Sequence, residues 1–187
     1  MAYKFSNNST VKTDLIAPID EIKAHLRIDS DFTDDDGQLI DIFSDVLSEA
    51  EAVLGYDLSP TVNTLEIYEF LDSWLKINFM NISELTSIKY LDSDDQEQTV
   101  TLGDCKIIKD EYFYFIELPN SIDSSKVTVV FKTGFSNYSD LSGRIKRAIF
   151  LRIADYYDIE RGGYISGAFK DSGRFEKLLA MDQNRSF

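Results

Sequence analysis

Apolar positions along the chain first recur at helical spacing, then at a period near two, then at helical spacing again, so the elements predicted are helix, helix, sheet, helix and tail. Ile19, Ile22 and Leu26 fall at spacings of three and four behind Pro18, which suits a first helical position, and predict a short helix over 18–27. A second helix is marked by Leu39, Ile40, Phe43, Val46, Leu47, Ala50 and Leu54, with acids at its start and Gly55 as its stop. Between Thr64 and Lys132 the pattern turns strand-like at Leu65, Ile67, Phe70 and Leu71, then over 88–91, 100–102, 112–118 and 127–131. Asp92-Ser93-Asp94-Asp95 and Asn120-Ser121 read as turns. A third helix is predicted over 141–160, with Ile145, Ile149, Phe150, Ile153, Tyr156 and Tyr157 inward and Gly162-Gly163 ending it as a hinge.

These elements predict an α+β fold: a small bundle of three or four helices, an inserted small antiparallel β-sheet or barrel, and an extended C-terminal tail. The expected division is 1–63 with 136–163 as helical core, 64–135 as inserted β-subdomain, and 164–187 as tail. That tail carries Tyr164, Ile165, Phe169, Phe175, Leu178, Leu179, Met181 and Phe187 among Ser, Gly and charged residues. It is too apolar for a disordered segment and too sparse for a core element. Its own contacts return less than its ordering costs. Either it folds back on the domain or it is ordered by a partner, and we expect the second. Phe175, Leu178 and Leu179 at helical spacing predict one short docking turn.

Charge changes the picture. The 187 residues carry a net charge of −14. Residues 1–100 hold 6 Lys and Arg against 21 acids, whereas 101–187 hold 13 against 12. Such a chain repels nucleic acid over most of its surface, which argues against sequence-specific DNA binding. The local exception, Arg144, Lys146, Arg147 and Arg152 on the third helix, reads as a solvated face or as partners for acidic neighbours. A hydrophobic fraction of 43% suffices for a packed core. The polar opening and the lack of a long apolar run predict a soluble protein without signal peptide or membrane span.

Candidate chemistry is thin. Cys105 is the one cysteine and His25 the one histidine, which leaves no disulfide and no multi-cysteine or multi-histidine metal site. His25 is expected half-buried on its helix and Cys105 in core or strand. Asp29-Ser30-Asp31-Phe32-Thr33-Asp34 imitates the start of a calcium loop, but its sixth position is Asp34 instead of Gly and its twelfth is Ile40 instead of Glu. These acids are expected to cap the second helix and solvate a turn. Gly162-Gly163-Tyr164-Ile165-Ser166-Gly167 follows a helix and lacks the Lys of a nucleotide loop. Neither cofactor, metal nor catalytic residue is expected.

Four stretches resemble, in order, the head-tail connector (adaptor, or head completion) proteins of long-tailed bacteriophages. They are Lys23-Ala24-His25-Leu26-Arg27-Ile28-Asp29 with the acids and Leu39-Ile40 beyond it; Ser87-Ile88-Lys89-Tyr90-Leu91-Asp92 with Gln98-Thr99; Val127-Thr128-Val129-Val130-Phe131-Lys132-Thr133-Gly134-Phe135; and Arg144-Ile145-Lys146-Arg147-Ala148-Ile149 running to Tyr156-Tyr157 and Glu160-Arg161. Together they span about residues 14–161. The chain departs from the family at Asp94-Asp95, where a glycine usually turns the hairpin, and at Ser142-Gly143, where a proline commonly precedes the last helix.

The resemblance implies a structural virion protein without turnover. It would be made in the host cytoplasm and form a ring of twelve subunits under the portal at the neck, completing the filled head. Its partners would be the portal, a downstream neck, stopper or tail protein, and DNA passing without sequence-specific contact. The segment after the last helix would reach into the portal, with Tyr164, Phe169, Phe175, Leu178, Leu179 and Phe187 as anchors. Asp31, Asp34, Asp35 and Asp36 are candidate channel or turn acids. A neck stopper or tail completion protein is the alternative reading, and a small soluble enzyme or binding module a remote one.

Overall fold

The computed structural model describes residues 5–77, 79–109, 114–161 and 173–183. The described residues form an antiparallel sheet and four α-helices, divided into two compact units. Residues 5–13 and 59–134 make the sheet unit, and 14–58 with 135–183 the helical unit.

In the sheet unit, β1 (Phe5–Lys12), β2 (Thr61–Ile77), β6 (Tyr114–Thr133), β3 (Ile82–Leu91) and β4 (Glu97–Val100) lie side by side in that order, and β5 (Lys106–Lys109) pairs with β6. β2 and β6 run together for most of their length. Thr61–Asp72 faces Ile122–Thr133, and after a register shift Trp74–Ile77 faces Tyr114–Glu117. The break is held locally, since the Asp72 carboxylate accepts the backbone N–H groups of Ser73 at 2.7 Å and Trp74 at 3.1 Å. Those donors, Trp74 first, hold the Asp72 carboxyl below its ordinary range. Strand alternation sends Leu65, Ile67, Ile88, Val127, Val129 and Phe131 to one buried face, which forms a core with Phe70, Leu75, Ile77, Ile116 and Leu118. Cys105 is half-buried against this core.

Two expectations for this unit need correction. Residues 5–12 belong to the sheet, not to a helical core, because β1 pairs with β2 along its whole length. Asn120-Ser121 is no turn, since β6 continues through it.

The β3–β4 turn works without glycine. Asp95 takes φ +58, a conformation that Asp tolerates better than most residues. Asp92 organises the turn by accepting the N–H groups of Asp94 at 3.0 Å and Gln96 at 2.9 Å and the Gln98 amide at 2.7 Å. These bonds, Gln96 first, pull the Asp92 carboxyl below its ordinary range.

The helical unit contains α1 (Ile19–Leu26), α2 (Asp36–Leu54), α3 (Gly143–Arg161) and α4 (Arg174–Leu179). Pro18 sits at the cap of α1 instead of inside it. Gly55 closes α2 in the left-handed conformation, its N–H on Glu51 O at 2.8 Å. Ser142 starts α3, its hydroxyl accepting the Ile145 N–H at 3.3 Å. α2 buries Leu39, Ile42, Phe43, Val46, Leu47, Ala50 and Leu54 against Ile145, Ala148, Ile149 and Ile153 of α3. Ile40, expected on this stripe, instead faces outward and is half exposed.

The α4 part of the tail belongs to this core. Phe175 and Leu179 of α4 are buried, and Leu178 packs partly against the same cluster. The predicted short turn is present, but it lies on its own chain. Tyr164, Phe169 and Phe187, like the Gly162-Gly163 hinge, lie outside the described residues.

Candidate assembly surfaces

The acidic entrance to α2 is built around a buried lysine. α1 turns Ile22 and Lys23 inward, and Lys23 reaches Asp36 Oδ1 at 2.7 Å and Ser30 O at 3.3 Å, with its side chain only 4% exposed. Arg27 ends α1 in the left-handed conformation, and the Ile28 N–H returns to Lys23 O at 2.9 Å. Asp35 stands at the N-cap but makes no side-chain cap bond. Its Oδ2 accepts the Tyr157 hydroxyl of α3 at 2.7 Å. Asp36 and Asp35 therefore clamp α1 and α3 to the start of α2; Asp35, expected to cap that helix, bonds α3 instead. Asp31 and Asp34 remain exposed, and Asp31 closes an Asx turn through its N–H on Asp29 Oδ1 at 3.1 Å.

The clamp gives a direct expectation. Lys23→Ala leaves the Asp36 carboxylate and the Ser30 carbonyl without their partner. We expect a loss of about 2–3 kcal/mol in denaturant unfolding, below the ~3–5 kcal/mol of a fully buried pair because the Asp36 side chain is 32% exposed. Lys23→Met with Asp36→Asn should recover most of it; a Lys23→Ala protein as stable as wild type would refute the clamp.

His25 is exposed, contrary to expectation, and stacks on Phe150 of α3 at 5.3 Å between ring centroids. Among the described residues no group of three His, Cys, Asp or Glu is placed to hold a metal ion, and no helix is long and apolar enough to cross a membrane.

The basic cluster of α3 is mostly engaged. Arg144 pairs with Asp182 at 3.0 Å, Lys146 donates to Ser139 O at 2.6 Å, and Arg152 pairs with Glu49 at 2.9 Å with its guanidinium over the rings of Tyr156 and Phe175. Tyr156 also donates to Glu49, and that bond raises its hydroxyl pKa. Arg147 stays exposed. Across α2, Ile40, Asp41, Ser44, Asp45 and Ser48 form the outward stripe, so acid and apolar surface lie together there.

The exposed side of the sheet carries three Lys–Glu pairs. Lys126 bridges to Glu66 at 2.5 Å while the Tyr68 hydroxyl donates to the other Glu66 oxygen at 2.7 Å. These bonds, Lys126 first, hold the Glu66 carboxyl low. Lys89 with Glu97 at 2.7 Å and Lys132 with Glu84 at 2.8 Å tie β4 and β6 to β3. Sequence reading missed these pairs because each joins distant positions that only strand register brings together.

No protein-family model and no curated protein matches the sequence. Solved structures do. A chain from the "Neck of empty GTA particle computed with C6 symmetry" aligns over 96% of this chain and 97% of its own, with a TM-score of 0.70 and 19% identity. A chain from the "Virion of native gene transfer agent (GTA) particle" gives 0.70 and 19% over 95% and 96%. A chain from the "Neck of native GTA particle computed with C12 symmetry" gives 0.57 and 17% over 91% and 94%. The likeness is one of fold, and it runs through both units.

Proposed function

We propose that the chain is a structural component of the neck of a phage-like particle, the adaptor that forms a ring under the portal and carries the head–tail joint. The observation that supports this most is the end-to-end likeness to a chain from a particle neck, 96% of one against 97% of the other. The family resemblance in four ordered stretches points the same way. The role is mechanical: helices clamped at Lys23 give each copy a rigid body, and the exposed acids Asp31 and Asp34 offer DNA a surface that repels it. Portal docking falls to Tyr164, Phe169 and Phe187, since Phe175 and Leu179 fill their own helical core.

Cryo-electron microscopy of particles carrying a tagged copy tests this. The expected result is a ring of tag density in direct contact with the portal. Tag density one layer further down, without portal contact, would assign the chain to the stopper or completion layer instead. Particles without tag density at the neck would remove the proposal.

A further inference from the structure

We propose that copies join helix to helix, the outward face of α2 in one copy against the outward face of α4 in the next. The inference rests on the ring reading above and names the contact that would close the ring.

α2 is a helix without a single Lys or Arg. Of its five acids, Asp36 is held by Lys23, Glu49 by Arg152, and Glu51 accepts the Leu58 N–H at 2.9 Å. Asp41 and Asp45 are left over. Both are exposed, and their side chains make no ion pair or hydrogen bond among the described residues. They stand one turn apart on the same face, a spacing at which like charges weaken a helix that has no partner. Beside them Ile40 is 48% exposed, and Ser44 and Ser48 are short enough to let another helix approach.

α4 repeats the arrangement with the opposite sign. Phe175 and Leu179 turn inward, which leaves Arg174 and Lys177 exposed three residues apart, again with no ion pair or hydrogen bond from either side chain among the described residues. Arg174 opens the helix, at the end where the dipole disfavours a cation. Met181 follows one turn beyond Lys177 and is 75% exposed.

The occupant follows from the match between the two faces. Each copy carries −14, so a second copy is held only where local charges oppose. Residues three or four apart on a helix stand about 5–6 Å from each other, so the acid pair and the basic pair share one spacing and fit one to one. With the two helices antiparallel, Asp45 meets Arg174, Asp41 meets Lys177 and Ile40 meets Met181. That pairing answers all four leftover charges and covers both apolar side chains. A contact between two different faces of one chain is head-to-tail, the kind that closes into rings.

Charge exchange in the full chain tests it, with assembly read by native mass spectrometry, alone and with the portal ring of the same particle. Arg174→Glu with Lys177→Glu makes both faces acidic; Asp41→Lys with Asp45→Lys makes both basic. All four positions are exposed, so each variant should melt like wild type, yet assemble at least about tenfold more weakly. An equimolar mixture should assemble again, because alternating copies restore every contact, and only into even-numbered rings. The chain with all four substitutions should assemble unaided, which a loss of fold would not allow. Asp94→Lys with Asp104→Lys, the same charge change at exposed positions of the sheet unit, should assemble like wild type. Wild-type assembly matched by either exchanged variant overturns the helix contact, as does a sheet-unit control that assembles as weakly as the variants, or a mixture that stays apart. Normal rings from a variant that no longer binds the portal give that face to the portal and overturn the contact too. A wild-type chain that is monomeric under every condition overturns the ring reading itself.

Discussion

Gly134→Ala is expected to lower stability by at least about 3 kcal/mol, among the largest effects of any single methyl group in this chain. Gly134 has φ +81, which costs an ordinary residue roughly 1–2 kcal/mol. A Cβ there would lie 2.0 Å from Ser59 O and 2.6 Å from Ser59 C. Overlap with a packed neighbour adds about 1–3 kcal/mol or more. The obstacle is backbone, and it is held: Ser59 is buried, its carbonyl accepts the Thr61 hydroxyl at 3.0 Å, and Pro60 O accepts the Thr13 N–H at 2.8 Å. Thr61 is in turn paired with Thr133, next to the glycine. Urea unfolding gives the check, with Gly37→Ala as the contrast. A Cβ on Gly37 meets nothing within 4 Å, and alanine in that helix should stabilise by up to about 1 kcal/mol. A Gly134→Ala protein within ~1 kcal/mol of wild type would refute this account of the turn.

The same glycine shows what a sequence pattern can and cannot carry. Val127 to Phe131 alternates and ends in Thr133-Gly134, so a strand and a turn were both legible, but the reason for glycine lies at Ser59, 75 positions away. Long amphipathic helices read well for the opposite reason: the period of α2 and α3 is local, and their inward positions match the burial found, Ile40 excepted. Phe5–Lys12 was missed because its sequence, FSNNSTVK, lacks alternating apolar residues; its strand state comes from the β2 edge alone. β6 was cut short because Pro119-Asn120-Ser121 carries turn residues, yet the strand continues through them beside the β2 register shift. Among candidate site residues, Asp35 and Asp36 looked like Asp31 and Asp34. What separates them is Tyr157 and Lys23, and no local spacing announces a buried lysine or a tyrosine 122 residues distant.

Phe175→Ala should cost about 3–5 kcal/mol and Leu179→Ala about 2–5 kcal/mol, although both lie in a segment that reads from sequence as a partner-docking tail. Leu179 is 0% exposed and Phe175 packs in the same cluster beneath the Arg152 guanidinium, 5.3 Å from its ring centroid. The end of α4 is fastened as well. Asp182 donates its N–H to Leu179 O at 2.8 Å and pairs with Arg144, while burial, aided by the Asp182 charge, pushes the Tyr56 hydroxyl up to about 12. Met181, 75% exposed on the next turn, provides the control, and Met181→Ala should stay within ~0.5 kcal/mol of wild type. It follows that removing residues 164–187 is a poor test of docking, since it strips the helical unit of two core side chains together with any surface a partner would use. Substitution separates the roles: the α4 variants should lower the melting temperature, and partner binding should fail in them only as the fold does. Phe175→Ala and Leu179→Ala proteins that melt like wild type but no longer bind the portal would reverse this assignment, making α4 the docking element and its packing here incidental.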